Sequence, residues 1–442
     1  MAAWNLPAEM ASWVTLLAEP LHARLAGRLL TVLVGMLFAR GRRTVTSWLR
    51  AAGVGDAFPA YYYFLGSLGR KADLVAGALL RLAVPVVAPG ERLLFAIDDT
   101  PTKRYGPHVQ GAGIHHNPTP GPSDQQYLYG HIWVTLSWLV RHPAWHGIGL
   151  PLRALLYVRR KDIEKLPRRT KVTFRTKLEM AAELIEWLAE RLQLLGKIVW
   201  VVVDGFYGKK PVFQQAKKSG VVIVGRLRKD ARLRGVPQPP KRRGPGRPRI
   251  YGTAKISLAK RAAHRQGWQT GDFVLYGQTL TKTYKTFLAT YVPANGLIRV
   301  VIAKEDHGWV PFFCTDPNAT VAQILEAVAD RAAIEQDFHD VKEVHGAGQQ
   351  QLRNYWANVA AFHLNLWLFT LIELWAWARP KAELCDRSQS PWDDPDRRPS
   401  HADRRNALRR SCLQLQFLAA QVRHRLSRKF TTLFTGLLQM VG

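Results

Sequence analysis

The chain has 442 residues, of which 63 are lysine or arginine and 33 are aspartate or glutamate, so its formal net charge is +30. This length predicts two or three domains and a sizeable core. So large a charge would repel itself in the folded state unless a polyanion is the usual partner, which excludes an ordinary cytosolic metabolic enzyme. Nucleic acid is the first candidate partner. An anionic membrane surface is a weak second, because the sequence has no stretch of about 18 uninterrupted apolar residues.

The three cysteines are scattered and show no CxxC spacing, so we do not expect a zinc site. Scattered cysteines are typical of proteins in a reducing compartment. The N-terminus has no basic segment before its apolar residues, so it does not resemble a signal peptide. These features predict a cytoplasmic protein.

Residues 1–90 are predicted to be helical, because segments rich in Leu, Ala and Val alternate with short breaks. Within them, residues 42–55 (RRTVTSWLRAAGVG) fit a helix–turn–helix. The arginines beside it are Arg40, Arg42, Arg43 and Arg50. Two interpretations stay open: a DNA-binding helical domain, or a plain helical bundle with a solvated basic edge.

The pattern changes at residue 91. The apolar stretch RLLFAIDDT (92–100) ends in two carboxylates, and further strand-like segments follow it. An amphipathic helix then ends at Gly196, and an apolar strand ends at Asp204. Over residues 91–225 the order is strand, strand, strand, helix, strand, helix, strand. That order predicts an α/β fold with a mixed sheet covered by helices.

Residues 226–310 interrupt this alternation with a basic Pro/Gly-rich loop and strand-like segments, which predict an inserted β-rich unit. Residues 311–378 return to the core with a strand, one long helix and a very apolar helix. Residues 379–442 are predicted to form a polar linker and a basic C-terminal helix.

One face of the long helix carries both basic and acidic side chains. At about 100° per residue, Arg331, Glu335 and Lys342 fall within roughly 40° of one another. A carboxylate between two cations suits a metal ion beside phosphate groups. The alternative is a solvated helix with an ordinary i, i+4 ion pair.

Two further carboxylates follow strands. Asp99, or its neighbour Asp98, ends the first core strand, and Asp204 ends another. Each could be an ordinary turn residue. Together with Glu335, however, they could hold the two divalent cations that phosphodiester cleavage uses. Adjacent strand residues face opposite sides, so only one residue of the Asp98–Asp99 pair is expected to point into such a site.

The order IDDT, VVVDGFYG and R-x3-E-x6-K resembles the DDE transposases of bacterial insertion sequences. In that family a strand-end Asp is followed by Thr, as in Asp99-Thr100, and a second strand-end Asp matches Asp204. The resemblance favours Asp99 over Asp98 as the first ligand. It covers about residues 91–378.

The family's third motif is Tyr-x2-Arg-x3-Glu-x6-Lys. Its last three letters match Arg331, Glu335 and Lys342, whereas Val328 stands at the Tyr position. A phosphate contact assigned to that Tyr therefore cannot be carried over.

The resemblance implies an RNase H-like core, flanked by helices and interrupted by a β-rich subdomain. It implies that Asp99, Asp204 and Glu335 bind two Mg²⁺ ions, for which Mn²⁺ can substitute, and that the chain cleaves and transfers DNA strands. It also implies a role for the insertion in holding the transposon end, with Trp268 either stacking on a displaced base or packing in the core. An RNase H-fold nuclease without strand transfer and a catalytically silent DNA-binding protein remain alternatives.

The expected partner is double-stranded DNA, namely the terminal inverted repeats and the target. A dimer is expected on DNA because two ends are brought together, a nucleoid location is implied, and no membrane partner is expected. Residues 241–252 (KRRGPGRPRIYG) resemble an AT-hook, the alternative being a basic loop attracted only to phosphates. The predicted DNA-binding residues are Arg331, Lys342, Lys103, Arg104, Lys209, Lys210, Arg242, Arg243, Arg247 and Arg249.

Overall fold

A computed structural model of the chain describes residues 5–117, 126–238, 249–387, 390 and 392–424. The helices in chain order are α1 (Ala8–Ala18), α2 (Ala23–Phe38), α3 (Val45–Ala51), α4 (Phe58–Gly69), α5 (Ala72–Val87), α6 (Arg160–Ile163), α7 (Lys177–Leu192), α8 (Lys210–Lys218), α9 (Leu258–Ala263), α10 (Val321–Asp330), α11 (Ala332–Glu343), α12 (Tyr355–Ala376), α13 (Lys381–Leu384) and α14 (His401–His424). The strands are β1 (Arg92–Lys103), β2 (Gly113–His116), β3 (Tyr127–His142), β4 (His146–Tyr157), β5 (Ile198–Val203), β6 (Val222–Arg226), β7 (Leu233–Arg234), β8 (Lys255–Ile256), β9 (Gln269–Leu275), β10 (Gln278–Tyr291), β11 (Gly296–Glu305) and β12 (Gly308–Cys314).

The centre of the fold is the sheet segment β4–β3–β1–β5–β6. Strands β1, β3 and β4 pair antiparallel, whereas β5 and β6 run parallel to β1. Helix α7 crosses over between β4 and β5, and α8 between β5 and β6. The predicted mixed sheet and the RNase H-like arrangement are confirmed.

The strands predicted as an insertion belong to the same sheet. Strand β12 pairs antiparallel with β6, β11 with β12, and β10 with β11. Strands β7, β8 and β9 complete the outer edge. The β-rich unit therefore continues the hydrogen-bonded ladder of the core.

The N-terminal residues form the predicted helices, α1 to α5. Their apolar side chains share one core with the central sheet and with α12, so they do not pack as a separate body. At Gly69 of α4 the approach to α12 is very close: an added Cβ would lie 1.9 Å from the Trp356 carbonyl oxygen. Glycine is required there because any side chain would force the two helices apart.

Helix α12 is buried along its length, which explains why its sequence is apolar on every face. Within the described part of the chain it is the one helix that is long and apolar enough to cross a membrane, and its apolar window lies wholly inside the protein. Three fully buried aromatic side chains mark its contact with the sheet, where the rings of Trp133 and Phe362 stack at 4.2 Å and the Trp367 indole donates to the Leu152 carbonyl.

The helix predicted to be continuous over residues 320–344 is broken at Arg331 into α10 and α11. Thr320 caps the start of α10 in a capping box with Gln323. Arg331 lies between the two helices, and its carbonyl accepts from the Ile334 N–H three residues later. Helical periodicity alone does not reveal this break, because the apolar stripe continues across it.

A candidate acidic active site

The parallel register of β1 and β5 brings two acids to the same edge of the sheet. Ile97 is paired with Val203, the last residue of β5. Extending that register by one residue places Asp98 beside Asp204. The carboxyl ends of parallel strands are where sites form in open α/β sheets.

Helix α11 packs across β1 and brings Glu335 to the same edge. Five acids from three parts of the chain line one cavity of about 1120 Å³: Asp98, Asp99, Asp204, Glu335 and Glu343. We call this cavity the acidic cleft. Carboxylates from distant segments share this cavity, and their roles stay a prediction. Both Asp98 and Asp99 line it, whereas only one of the pair was expected to point there.

Arg331 joins two of these acids. Its Nη1 donates to Asp98 Oδ2 at 2.7 Å, and its Nη2 donates to Glu335 Oε1 at 2.7 Å. The break between α10 and α11 places the guanidinium at the cleft. The i, i+4 pair expected from the sequence is thus half of a three-residue bridge.

Asp98 is a largely buried carboxyl group with a perturbed pKa. Burial raises its pKa to about 6, and the neighbouring Asp204 and Asp99 carboxylates add to the rise, while Arg331 and the Asp99 N–H oppose it. Like charges close together in a poorly solvated place raise the pKa of an acid in this way. The cost of burying the charged Asp98 is therefore not fully offset by the Arg331 guanidinium.

Asp99 has different partners from those of Asp98. Lys177 Nζ donates to its Oδ2 at 2.6 Å, and the Tyr207 hydroxyl donates to its Oδ1 at 2.8 Å. Tyr207 is fully buried, and burial together with the Asp99 carboxylate raises the pKa of its phenol. Both oxygens of Asp99 are thus held by this chain's own donors.

Asp204 is a turn residue that also lines the cleft. Its Oδ1 accepts from the backbone N–H groups of Phe206 (2.9 Å) and Tyr207 (3.0 Å), which is ordinary turn chemistry. The same turn presents the carboxylate to the cleft. Asp204 therefore stabilises the turn with one oxygen while its carboxylate lines the cleft.

The donor set suits divalent cations such as Mg²⁺, which prefer a few carboxylate oxygens. Burial raises the pKa of Asp98, and a bound cation would favour the charged form of this acid. In the arrangement described, however, no three His, Cys, Asp or Glu side chains of the described residues are placed to ligate one metal ion. Arg331 donates to the Asp98 and Glu335 oxygens instead. The residues fit a metal ion by their chemistry, and Arg331 would have to leave these oxygens for the ion to bind.

Most predicted DNA-binding residues that the structure describes lie at or near the surface. Lys103 and Lys342 line the acidic cleft, and Arg331 bridges its acids. Lys209 and Lys210 are exposed at the start of α8, near Asp204. Arg249 is exposed, while Arg242, Arg243 and Arg247 lie outside the described residues.

The DNA contact predicted for Arg104 is contradicted. Its side chain is 5% exposed, its Nε donates to His131 Nδ1 at 3.1 Å, and its Nη1 donates to the Gly348 carbonyl. Burial lowers the pKa of its guanidinium to about 10. Arg104 directly follows Lys103, the last residue of β1, and its N–H donates to the Tyr129 carbonyl of β3. Successive residues of an extended segment point to opposite faces, and of these two only Lys103 lines the cleft.

Sequence reasoning missed several cleft residues. Lys177, the first residue of α7, pairs with Asp99 although 78 residues separate them. Arg42 from the loop before α3 and the exposed Tyr105 also line the cleft. The capping box at Thr176 could have located the start of α7, but nothing in the sequence shows that this start faces Asp99.

Trp268 packs against the main core, and Lys285 Nζ lies 4.7 Å from its ring centre. Its position agrees with the packing alternative. Val328 lines the cavity next to the acidic cleft, together with Arg331 and Glu335. It therefore faces the region where the family's Tyr would lie, without a hydroxyl.

A search of the curated proteins found no match. The family described as DDE superfamily endonuclease matches residues 17–278, which is more than half of the chain. The match begins within α1 and includes Asp98, Asp99 and Asp204, whereas Glu335 lies beyond it. Enzymes of this superfamily act on DNA and generally use divalent metals. Its acidic cleft and this match together identify the chain as a member of the DDE superfamily of endonucleases.

Proposed function

We propose that this chain is a DNA transposase that cleaves transposon ends and joins them to target DNA with the help of Mg²⁺. The observation that carries the proposal is the meeting of Asp98, Asp99, Asp204 and Glu335, from three distant segments, in one cavity. The net charge of +30 supports DNA as the partner. The proposed setting is the cytoplasm, on nucleoid DNA.

Asp98, Asp204 and Glu335 are the proposed metal-binding acids. Asp98 replaces the expected Asp99 because it continues the strand register beside Asp204 and shares Arg331 with Glu335. Bound divalent ions would activate the attacking oxygen and stabilise the leaving oxygen of an in-line displacement. Asp99 is proposed to position Lys177 and Tyr207, and its own role as a ligand stays a prediction.

Basic residues around the cleft are proposed to bind the phosphate backbone. Lys103 and Lys342 line the cavity, as do Arg42 from the N-terminal helices and Lys177 from α7. Arg331 would turn from its carboxylates to a DNA phosphate, a group that its planar fork of donors matches equally well. The N-terminal helices would thereby contribute to the active site as well as to DNA binding.

The test compares strand cleavage by Asp204→Asn and Glu335→Gln with that of the unmodified chain. The substrate is a DNA segment that carries the coding sequence with its flanks. Both variants are expected to lose cleavage by at least about 10³-fold, because charge stabilisation at the reacting phosphate is lost. Duplex binding should persist in EDTA. Glu326→Gln, an acid on α10 that pairs with Arg141 outside the cleft, is the matched control.

Products of the same reaction separate the alternatives. DNA joined to a second molecule is expected of a transposase, whereas cut ends alone would indicate a nuclease without strand transfer. A chain that binds DNA equally in EDTA and in Mg²⁺ and never nicks it would be catalytically silent. Full cleavage by either purified acid variant would overturn the assignment of the cleft.

A further inference from the structure

The face of α11 opposite Glu335 carries a buried acid, Asp337. At about 100° per residue, these two side chains point about 160° apart around the helix. Glu335 lines the acidic cleft, whereas Asp337 is 2% exposed and lines a separate cavity of about 230 Å³ between α11, α12, β4 and the start of α14. A carboxyl group inside a protein is costly, and an apolar residue in its place is often neutral or stabilising. The presence of Asp337 therefore needs a specific reason.

Asp337 joins α11 to two strands of the central sheet. The Ser137 hydroxyl of β3 donates to its Oδ2 at 2.6 Å, and both residues are buried. A Cβ added at Gly149 of β4 would lie 2.0 Å from the same oxygen, so any side chain there would displace the carboxyl group. The pairing of β3 with β4 shifts register between Leu136 and Ser137, an irregularity of the kind that re-aims side chains.

The other buried side chains of α11 form an apolar stripe, which consists of Ile334, Phe338 and Val341. Such a stripe holds a helix against a sheet but fixes its rotation only loosely, because apolar burial has no preferred direction. A hydrogen bond has a preferred distance and angle. The bond between Ser137 and Asp337 can therefore fix the rotation of α11 about its own axis.

That rotation decides where the Glu335 carboxylate lies. Side-chain ends lie about 5–6 Å from a helix axis, so a turn of about 20° moves them by about 2 Å. A misplacement of about 1 Å can cost about 100-fold in rate at a catalytic site. Glu335 is itself bonded to Arg331, and that bond has to open before a metal ion can bind. A contact on the other face of α11 would hold the helix in place meanwhile.

We propose that Asp337 is a positioning residue for Glu335, held by Ser137, with Gly149 leaving room for its carboxyl group. We call Ser137, Gly149 and Asp337 the α11 anchor. This inference rests on the proposed function, in which Glu335 is one of the metal-binding acids. The anchor acts from inside the protein, on the face of α11 away from the acidic cleft. It depends on the oxygen that accepts from Ser137, which an amide would supply as well as a carboxyl group.

The first experiment measures strand cleavage, DNA affinity in EDTA and melting temperature for Ser137→Ala and Asp337→Asn in the full chain. Thr370→Val is the matched control, because it removes another buried hydroxyl bond to β4, from Thr370 Oγ1 to the Pro151 carbonyl. Thr370 belongs to α12, whose described residues 355–376 do not line the acidic cleft.

Ser137→Ala should lower the single-turnover rate by about 10- to 100-fold, the loss typical when the partner of a metal-binding residue is removed, and leave DNA affinity unchanged. Thr370→Val should lower the melting temperature by a similar amount and keep the rate. Asp337→Asn should keep most of the rate, because its amide oxygen still accepts from Ser137.

Three results, each measured below the melting transition of every variant, would overturn the anchor. The first is an unchanged rate in Ser137→Ala. The second is an equal loss of rate in Thr370→Val, which would make the effect one of general destabilisation. The third is a loss in Asp337→Asn as large as that in Ser137→Ala, which would mean that the charge of Asp337 matters and its hydrogen bond does not.

The second experiment needs no cleavage. Amide hydrogen exchange in EDTA should become faster in α11 of Ser137→Ala than in α11 of Thr370→Val, because the lost contact loosens that helix locally. Unchanged exchange in α11 would overturn the anchor, even in a chain that cleaves DNA. Faster exchange in α11 of a chain that never cleaves DNA would instead overturn the proposed function, and the positioning role with it.

Discussion

The acidic cleft and the contact between α14 and the end of α2 differ in how their charges are balanced. In the cleft, Arg331 and Lys177 supply cations to Asp98, Glu335 and Asp99 from within the chain. At the α14 contact, the buried Arg405 and Arg409 have carbonyl and amide partners among the described residues. The cleft therefore pairs its acids internally, whereas the α14 contact places guanidinium groups among neutral groups.

This contrast separates two uses of basic side chains in one chain. Internal cations beside clustered carboxylates can be released when the site is used. Buried guanidinium groups that donate to backbone carbonyls hold helices together, and their removal leaves those carbonyls without a donor. We expect the first arrangement to serve the proposed chemistry and the second to serve the fold.

The largest effect expected in the cleft separates Asp98 from Asp99. Asp98→Asn should lower strand cleavage by at least about 10³-fold, as for the other proposed metal-binding acids. Asp99→Asn should lower it by about 10- to 100-fold, the range typical of residues that orient others at a site. Single-turnover cleavage with saturating DNA measures both. A reversed order would return the ligand role to Asp99.

A smaller effect is expected on the pH dependence of unfolding in EDTA. The pKa of Asp98 is about 6 in the folded chain and about 3.8 when unperturbed, so the folded state favours the protonated acid. Its contribution to stability is present below about pH 4 and is lost as the pH rises through 6. The shift corresponds to about 3 kcal/mol.

Urea unfolding of the unmodified chain and Asp98→Asn, followed from pH 4 to pH 7, measures this contribution. The difference between their free energies of unfolding should change by about 3 kcal/mol over that range. A constant difference would mean that Arg331 neutralises Asp98 fully and that the cleft holds no surplus negative charge.

The smallest effects compare basic residues that face solvent, Lys209 and Lys210, with Arg104, whose side chain has hydrogen-bond partners inside the protein. Lys209→Gln/Lys210→Gln should lower the salt slope of DNA binding by about 2 and leave stability unchanged. Arg104→Gln should leave the slope unchanged and destabilise the fold by about 2 kcal/mol, because its buried hydrogen bonds are lost. Salt titration of DNA binding and thermal unfolding of the unmodified chain and of the two variants measure these effects. A reduced slope for Arg104→Gln would restore the original prediction for that residue.

The sequence predicted the elements whose patterns are local. Helix α7 begins at its Thr176 capping box and is followed by Gly196 at φ +61°, and β5 is an apolar strand directly followed by Asp204. Asp98 and Asp204 lie at one edge of the sheet because parallel strands place their carboxyl ends together. For these features, sequence spacing and strand geometry contain sufficient information.

What could not be predicted depends on contacts between distant segments. Lys177 meets Asp99 through the crossover of α7, and Arg331 reaches Asp98 because the predicted long helix is broken. Arg104 was predicted to bind DNA from its position after Asp99, yet strand alternation turned it inward. Arg405 of α14 donates to the Met36 and Leu37 carbonyls of α2, a contact between distant segments that no sequence window contains.

The very close contact of Gly69 with the Trp356 carbonyl has a consequence for retargeting this protein. A chimera that exchanged residues 1–90 for another recognition module would strip apolar cover from α12 and expose the interior of the catalytic half. A change in the DNA specificity proposed for residues 1–90 is therefore expected to need substitutions of individual surface side chains, with the helical scaffold left in place. The N-terminal helices and the proposed catalytic core share one apolar core and are inherited together, as a single folding unit.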